Sequence, residues 1–269
     1  MRKTARPVVW EGAGAQSPAP DPISFGPMKP LAECRLYTFV DTAYLRGRKP
    51  EAVAQQLCDG GSDLIQLRAK DSPLEEIRRM AEAILPVTRR ANVGLVINDH
   101  LSVAREAGAD FCHLGQEDFF GAGHKHVSEL KGRDGSPSRP PGRLGEATLP
   151  EQRGAPGGRA LPELQIGLST HAPEQAERAL AAGADYIAIG PVYATGTKPT
   201  AKPVTLDYVR WAAAPQSGVT VPWFAIGGIN LSNLADVLAA GARRICVVSA
   251  ILNADDVAKA CAEFRRRLG

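Results

Sequence analysis

The 269-residue sequence predicts a single (β/α)8 TIM barrel, with a flexible N-terminal tail at 1–33, a catalytic domain at 34–269 and a long insertion at 121–162. Three observations predict it. Short apolar runs alternate strictly with helix-like segments, which implies a parallel sheet, and eight such units imply closure into a barrel. Ala-Gly-Ala recurs just ahead of a strand-like run, at 107–109, 182–184 and 240–242, as expected of a helix that stops on glycine before the next strand. Polar residues gather where the apolar runs end, which is the face on which barrels of this class do their chemistry. An open doubly wound sheet is disfavoured because no Gly-x-Gly-x-x-Gly follows the first strand.

The elements follow in order. Residues 35–41 read as the first strand, and the helix after it opens on Pro50 and closes on the glycine pair 60–61. Residues 63–68 form the second strand. The following helix has the signature of a capping box, with Ser72 as N-cap, Pro73 at the first position and Glu75 at the third. Strands at 94–99 and 110–115 flank a short helix, and the helix after the fourth strand is indistinct. Strands at 164–170, 185–190, 221–228 and 243–250 complete the set, each followed by a helical pattern.

Two segments stand apart. The first 33 residues are rich in Pro, Ala and Gly without a sustained period, and read as a loose tail. Residues 121–162 carry many Gly, Pro and Arg with few large apolar side chains, and read as a solvated loop on the catalytic face after the fourth strand. His124 and His126 lie there without a third nearby ligand, so a solvated role suits them better than metal binding.

Composition excludes several classes. A net charge of +3 gives no reason to expect nucleic-acid or membrane binding, although it suits phosphorylated substrates. No apolar run reaches the roughly 18 residues of a membrane span. The five cysteines include no Cys-x-x-Cys pair, and their odd number suits reduced thiols in a cytoplasmic protein. Homo-oligomerisation is left open.

The strand ends carry the chemistry. Gln66, Arg68 and Lys70 share one face of the second strand. An amide and two cations there suit an anion, although a salt-bridged strand end is the alternative. Asp99 and Asp118 end adjacent strands, and two carboxylates with water and phosphate oxygens suffice for Mg²⁺. Alternatively Asp99 caps the next helix and Asp118 is an ordinary loop acid. After the fifth strand, Thr170 or His171 could cap a helix, and His171 could equally be a general base, a phosphate contact or a solvated loop residue. The run 190–198 offers Thr195, Thr197 and Lys198 on a Gly/Pro loop, either an anion receptor or a plain turn. Gly227 and Gly228 after the seventh strand and Ser249 after the eighth suit a phosphate held by backbone N–H groups, unless the glycines serve only a tight turn. The residues alone therefore describe Mg²⁺-dependent chemistry on two phosphorylated ligands, with no Ser–His–Asp grouping and no cysteine placed as a nucleophile.

Seven strings at these strand ends resemble the thiamine-phosphate synthase family: 66–70, 97–99, 113–118, 169–171, 190–198, 225–229 and 247–251. They occur in the family's order, and the resemblance covers about residues 35–120 and 164–268. It implies a transferase of thiamine biosynthesis. Such an enzyme joins a pyrimidine methyl diphosphate to a thiazole phosphate, or its carboxylated form, and releases pyrophosphate. By the same resemblance Gln66, Arg68 and Lys70 hold the diphosphate, and Asn98, Ser169 and Lys198 also contact the pyrimidine substrate. Asp99 and Asp118 coordinate Mg²⁺. Thr195 and Thr197 face the thiazole phosphate, whose phosphate sits on Gly228, Val248 and Ser249. Arg68, Lys70, Ser169 and Lys198 are the expected catalytic set. The rivals are a related thiazole tautomerase, which uses a histidine near the position of His171, and a non-catalytic thiamine-precursor binding protein.

Overall fold

A computed structural model describes residues 28–131, 163–196 and 202–269. Eight parallel strands close in sequence order into a barrel. They are β1 (Leu36–Asp41), β2 (Leu64–Arg68), β3 (Gly94–Asn98), β4 (Phe111–Leu114), β5 (Gln165–Thr170), β6 (Tyr186–Ile189), β7 (Trp223–Ala225) and β8 (Ile245–Cys246). Closure comes from β8 beside β1, where Tyr37 pairs with Cys246. The strands are buried on both faces, which explains their near-continuous apolar runs.

The outer helices are α1 (Pro50–Asp59), α2 (Leu74–Arg90), α3 (Leu101–Ala107), α4 (Gln116–Gly121), α5 (Pro173–Ala181), α6 (Thr205–Ala213) and α7 (Leu234–Ala239). The short α8 (Ser249–Leu252) follows β8 directly, and α9 (Val257–Leu268) ends the chain. Pro50 and Pro173 occupy first helical positions, where a missing N–H costs nothing. Gly108 closes α3 at φ 68, which accounts for the first Ala-Gly-Ala motif.

Four local expectations need correction. Pro73, not Ser72, is the N-cap of α2, with no side-chain cap bond, so the capping box does not form. His100 rather than Asp99 precedes α3, and Ala172 rather than Thr170 or His171 caps α5. The N-terminal tail stops short of residue 33: a 3-10 turn spans Leu31–Glu33, and Lys29 pairs with Asp63 at 2.9 Å. The rest of the expected tail, 1–27, lies outside the described residues.

The insertion is also placed differently. Beyond α4 the chain runs down the outside of the barrel to a 3-10 turn, Val127–Leu130, whose Val127 and Leu130 are buried. Val127 N–H donates to Ala182 O at the end of α5, and Lys131 pairs at 2.8 Å with Asp185, just ahead of β6. Asp185 also accepts from Ile166 N–H at the start of β5. Both flanks of 132–162 therefore sit at the N-terminal ends of the strands, opposite the catalytic face. His126 is not simply solvated: it caps the turn and abuts Gly183, while His124 lies 3.2 Å from Glu129. Residues 132–162 themselves lie outside the described residues.

Candidate active site

A cavity opens at the C-terminal end of the barrel, with about 870 Å³ of space counting the solvent at its mouth. The period-2 alternation of strands builds its wall, one residue deep and the next nearer the mouth. Such pairs are Tyr37 and Phe39, Gln66 and Arg68, Ser169 and His171, and Cys246 and Val248. Of the residues anticipated from sequence, Gln66, Arg68, Asn98, Ser169, Thr195, Gly228, Val248 and Ser249 line this single cavity, and His171 joins them.

Three others do not line it. Lys70 follows the end of β2 and is exposed. Asp99 and Asp118, at the end of β3 and in the first turn of α4, are exposed as well. Asp99 sits at φ 62, a left-handed conformation that Asp tolerates better than most residues. Its N–H donates to His113 O at 2.9 Å, tying the ends of β3 and β4, and its carboxylate accepts from the Asn98 amide at 2.6 Å. Thr197 and Lys198 lie outside the described residues.

Beneath the cavity runs a polar chain that strand-end reading missed. Gln66 Nε2 donates to Tyr37 Oη at 2.6 Å, and Tyr37 Oη lies 3.4 Å from Tyr186 Oη. Tyr186 Oη is 3.2 Å from His113 Nδ1, and His113 Nε2 is 2.9 Å from Ser169 Oγ. Because Gln66 starts as donor, the roles can all run one way. Tyr186 then donates to Nδ1, the imidazole carries its proton on Nε2, and Ser169 accepts it, leaving the serine proton for the cavity. Burial pushes both phenols well above their ordinary range, so neither is an anion at neutral pH.

Asp41, also unforeseen, ends β1 beside Arg68 and accepts from its guanidinium at 2.7 Å. The salt bridge offered as the alternative reading of this strand end is therefore present, on an arginine that also lines the cavity. His171 Nδ1 contacts the Gly190 carbonyl. Burial raises the Cys112 thiol to about 12 and holds the Cys246 thiol well above its ordinary value, so neither is poised as a nucleophile.

The other wall is backbone. Gly227 and Gly228 take φ 104 and φ 64, and a Cβ on Gly228 would lie 2.7 Å from Ala194 O. Asn233 Nδ2 holds the Gly228 carbonyl at 2.9 Å. Directly after β8, α8 begins at Ser249, so its first N–H groups lack intrahelical acceptors.

No group of three or more His, Cys, Asp or Glu is gathered among the described residues. Mg²⁺ needs no such cage, since one or two carboxylates with water and phosphate oxygens complete its octahedron. Two exposed hard-oxygen donors, Asp99 and Asp118, on neighbouring units at the mouth fit that requirement.

Comparison with known proteins agrees with this geometry. The family model described as thiamine monophosphate synthase matches residues 36–126 and 158–251, and its gap falls within the insertion. A thiamine-phosphate synthase of Thermus thermophilus is 41% identical over 209 residues, covering 78% of this chain and 84% of the relative. One from Acidothermus cellulolyticus is 38% identical over 240 residues, covering 88% and 96%. A solved thiamine phosphate pyrophosphorylase from Pyrococcus furiosus superposes with TM-score 0.67 at 27% identity, over 88% of this chain and 96% of that one. A 3-hexulose-6-phosphate synthase at 16% identity shares the fold alone. With seven motifs in register on one cavity, the chain belongs to the thiamine monophosphate synthase family.

Proposed function

We propose that this chain is a transferase that condenses 4-amino-2-methyl-5-(diphosphooxymethyl)pyrimidine with thiazole phosphate to give thiamine phosphate and pyrophosphate, with loss of carbon dioxide as well when the carboxylated thiazole phosphate is the substrate. The observation that carries this reading is the convergence of Gln66, Arg68, Asn98, Ser169, Gly228 and Ser249 on one cavity. The methylene–oxygen bond to the diphosphate breaks, and pyrophosphate leaves with the electron pair. The thiazole nitrogen forms the new bond to the methylene carbon. The amino-pyrimidine can stabilise a positive methylene, so departure can run ahead of attack.

The protein's task is then to neutralise the leaving group and align the nucleophile. Arg68 from β2, Lys70 at the mouth and Lys198 would meet the negative charge. Ser169, whose Oγ lies 2.9 Å from His113 Nε2, would donate to the pyrimidine substrate when the imidazole carries its proton on Nε2, and Asn98 would help hold it. Gly228, Val248 and Ser249 would anchor the thiazole phosphate, with Thr195 and Thr197 beside it, which converts the encounter into a positioned reaction. Bound Mg²⁺, held by Asp99 and Asp118, would supply further charge neutralisation on the diphosphate. No strong general base is needed for this displacement.

Five free cysteines accord with a cytoplasmic location. Among the described residues no helix is long and apolar enough to cross a membrane. Purified protein with both substrates, with and without Mg²⁺, tests the reading. Thiamine phosphate should form and depend on the metal; its failure to appear under either condition would sink the synthase assignment. In that event isomerisation of the thiazole alone would point to the tautomerase, and binding without turnover to a precursor-binding protein.

A further inference from the structure

Asp41 ends β1 with its side chain 1% exposed. A buried carboxylate is costly unless its oxygens are engaged. Both are engaged: Oδ2 accepts from Arg68 Nη1 at 2.7 Å, and Oδ1 accepts from Ala43 N–H at 3.0 Å. The parallel register puts Asp41 directly beside Arg68, so the contact is set by the barrel and not by a flexible loop. Asp41 itself is absent from the cavity wall, whereas Arg68 is part of it.

A guanidinium is a rigid planar fork of five N–H donors. Holding Nη1 from the β1 side fixes the plane and leaves the other donors for the cavity. Without that tether Arg68 keeps its charge but loses its direction, and bidentate recognition of phosphate depends on direction. The geometry points to Asp41 as a positioning residue that aims Arg68 at the diphosphate of the pyrimidine substrate without touching the substrate. This rests on the assignment of Arg68 to the diphosphate given above.

Steady-state kinetics with Mg²⁺, varying each substrate against a saturating partner, test it on Asp41→Asn, Asp41→Ala, Arg68→Ala and the Asp41→Asn/Arg68→Ala double variant. Asparagine can still cap the turn through Oδ1, while its NH2 meets the guanidinium donor to donor. Alanine removes both contacts and guards against a flipped amide, with thermal melting to report its fold. Both Asp41 variants should raise KM for the pyrimidine diphosphate on the order of tenfold, with KM for thiazole phosphate within about twofold of wild type. The double variant should be no worse than Arg68→Ala, because the carboxylate acts through that arginine. Unchanged KM values, or an equal rise in both, would mean that Asp41 serves only the fold, and the inference is overturned. If Arg68→Ala itself leaves the pyrimidine-diphosphate KM untouched, the assignment of Arg68 has failed first, and the role of Asp41 falls with it.

Discussion

Ser169 shows how much one side chain's role depends on neighbours it does not choose. Its strand position was readable, because it ends an apolar run on the inward face. Its hydrogen-bond polarity was not, because that is set by His113 and Tyr186 from two other strands. If the serine proton meets charge developing on the leaving group, Ser169→Ala should lower kcat by roughly 10²–10³, the usual cost of removing one such donor. A single-turnover assay checks this, and a loss below about threefold would remove Ser169 from the chemistry. Asp118 makes a complementary case. It is exposed in the first turn of α4, and among the described residues its side chain makes no hydrogen bond or ion pair, beyond its approach to Gly115. Asp118→Ala should therefore abolish most turnover while circular dichroism and melting stay near wild type; wild-type rates would refute the metal assignment.

At the scale of elements, backbone conformation is as much a functional group as any side chain. Gly228 at φ 64 lies against Ala194 O, Tyr193 Cβ and the loop after β6. An alanine there must adopt a left-handed conformation costing about 1–2 kcal/mol, and it must also push a carbonyl aside. Gly228→Ala should lower Tm by several degrees, at roughly 2–4 °C per kcal/mol for a chain of this size. It should also raise KM for the thiazole phosphate more than for the pyrimidine diphosphate. Equal effects on both would argue that the glycine pair serves only the turn. Asp41 and His113 were missed at this scale for a simple reason. Asp41 closes β1 and His113 lies inside β4, where each reads as part of an apolar strand and not as part of the mouth. The signal was present in both cases: a charged or titratable residue ending or interrupting an apolar run.

For the whole molecule, the two faces of the barrel divide function from support. Lys131, Asp185 and Ile166 fasten the flanks of 132–162 to the face opposite the cavity. Replacing residues 134–160 with a short Gly/Ser linker should therefore leave both KM values within about twofold of wild type. A selective rise in either would show that the segment reaches the mouth. The buried thiols set a pH limit on the same barrel. Cys34, Cys112 and Cys261 are raised from 9.0 to about 12, chiefly by burial. The unfolded chain releases these protons first, so the folded state binds more of them above pH 9. Their contribution to stability is thus whole below about pH 8, and is lost as pH rises through 9 toward 12. Denaturant melts should show a flat midpoint from pH 7 to 8 and a fall beyond; a midpoint still level at pH 10.5 would contradict the burial of these cysteines.

The sequence by itself determined the barrel and most of its mouth. Alternation at periods of 2 and 3.6 is a local property, and a closed parallel barrel delivers every strand end to one face, so Gln66, Arg68, Asn98, Ser169 and Ser249 were legible in order. It did not determine what lies across a strand pair. Whether Arg68 is aimed by Asp41, and whether His113 turns Ser169 outward, depends on register and on which residues meet inside the barrel. The placement of the insertion was lost for a related reason. Helix α4 is short and its return path is a 3-10 turn, so spacing along the chain could not say which end of the barrel the extra residues leave from. Only the Val127 N–H bond to Ala182 O and the Lys131–Asp185 ion pair just ahead of β6 decided that.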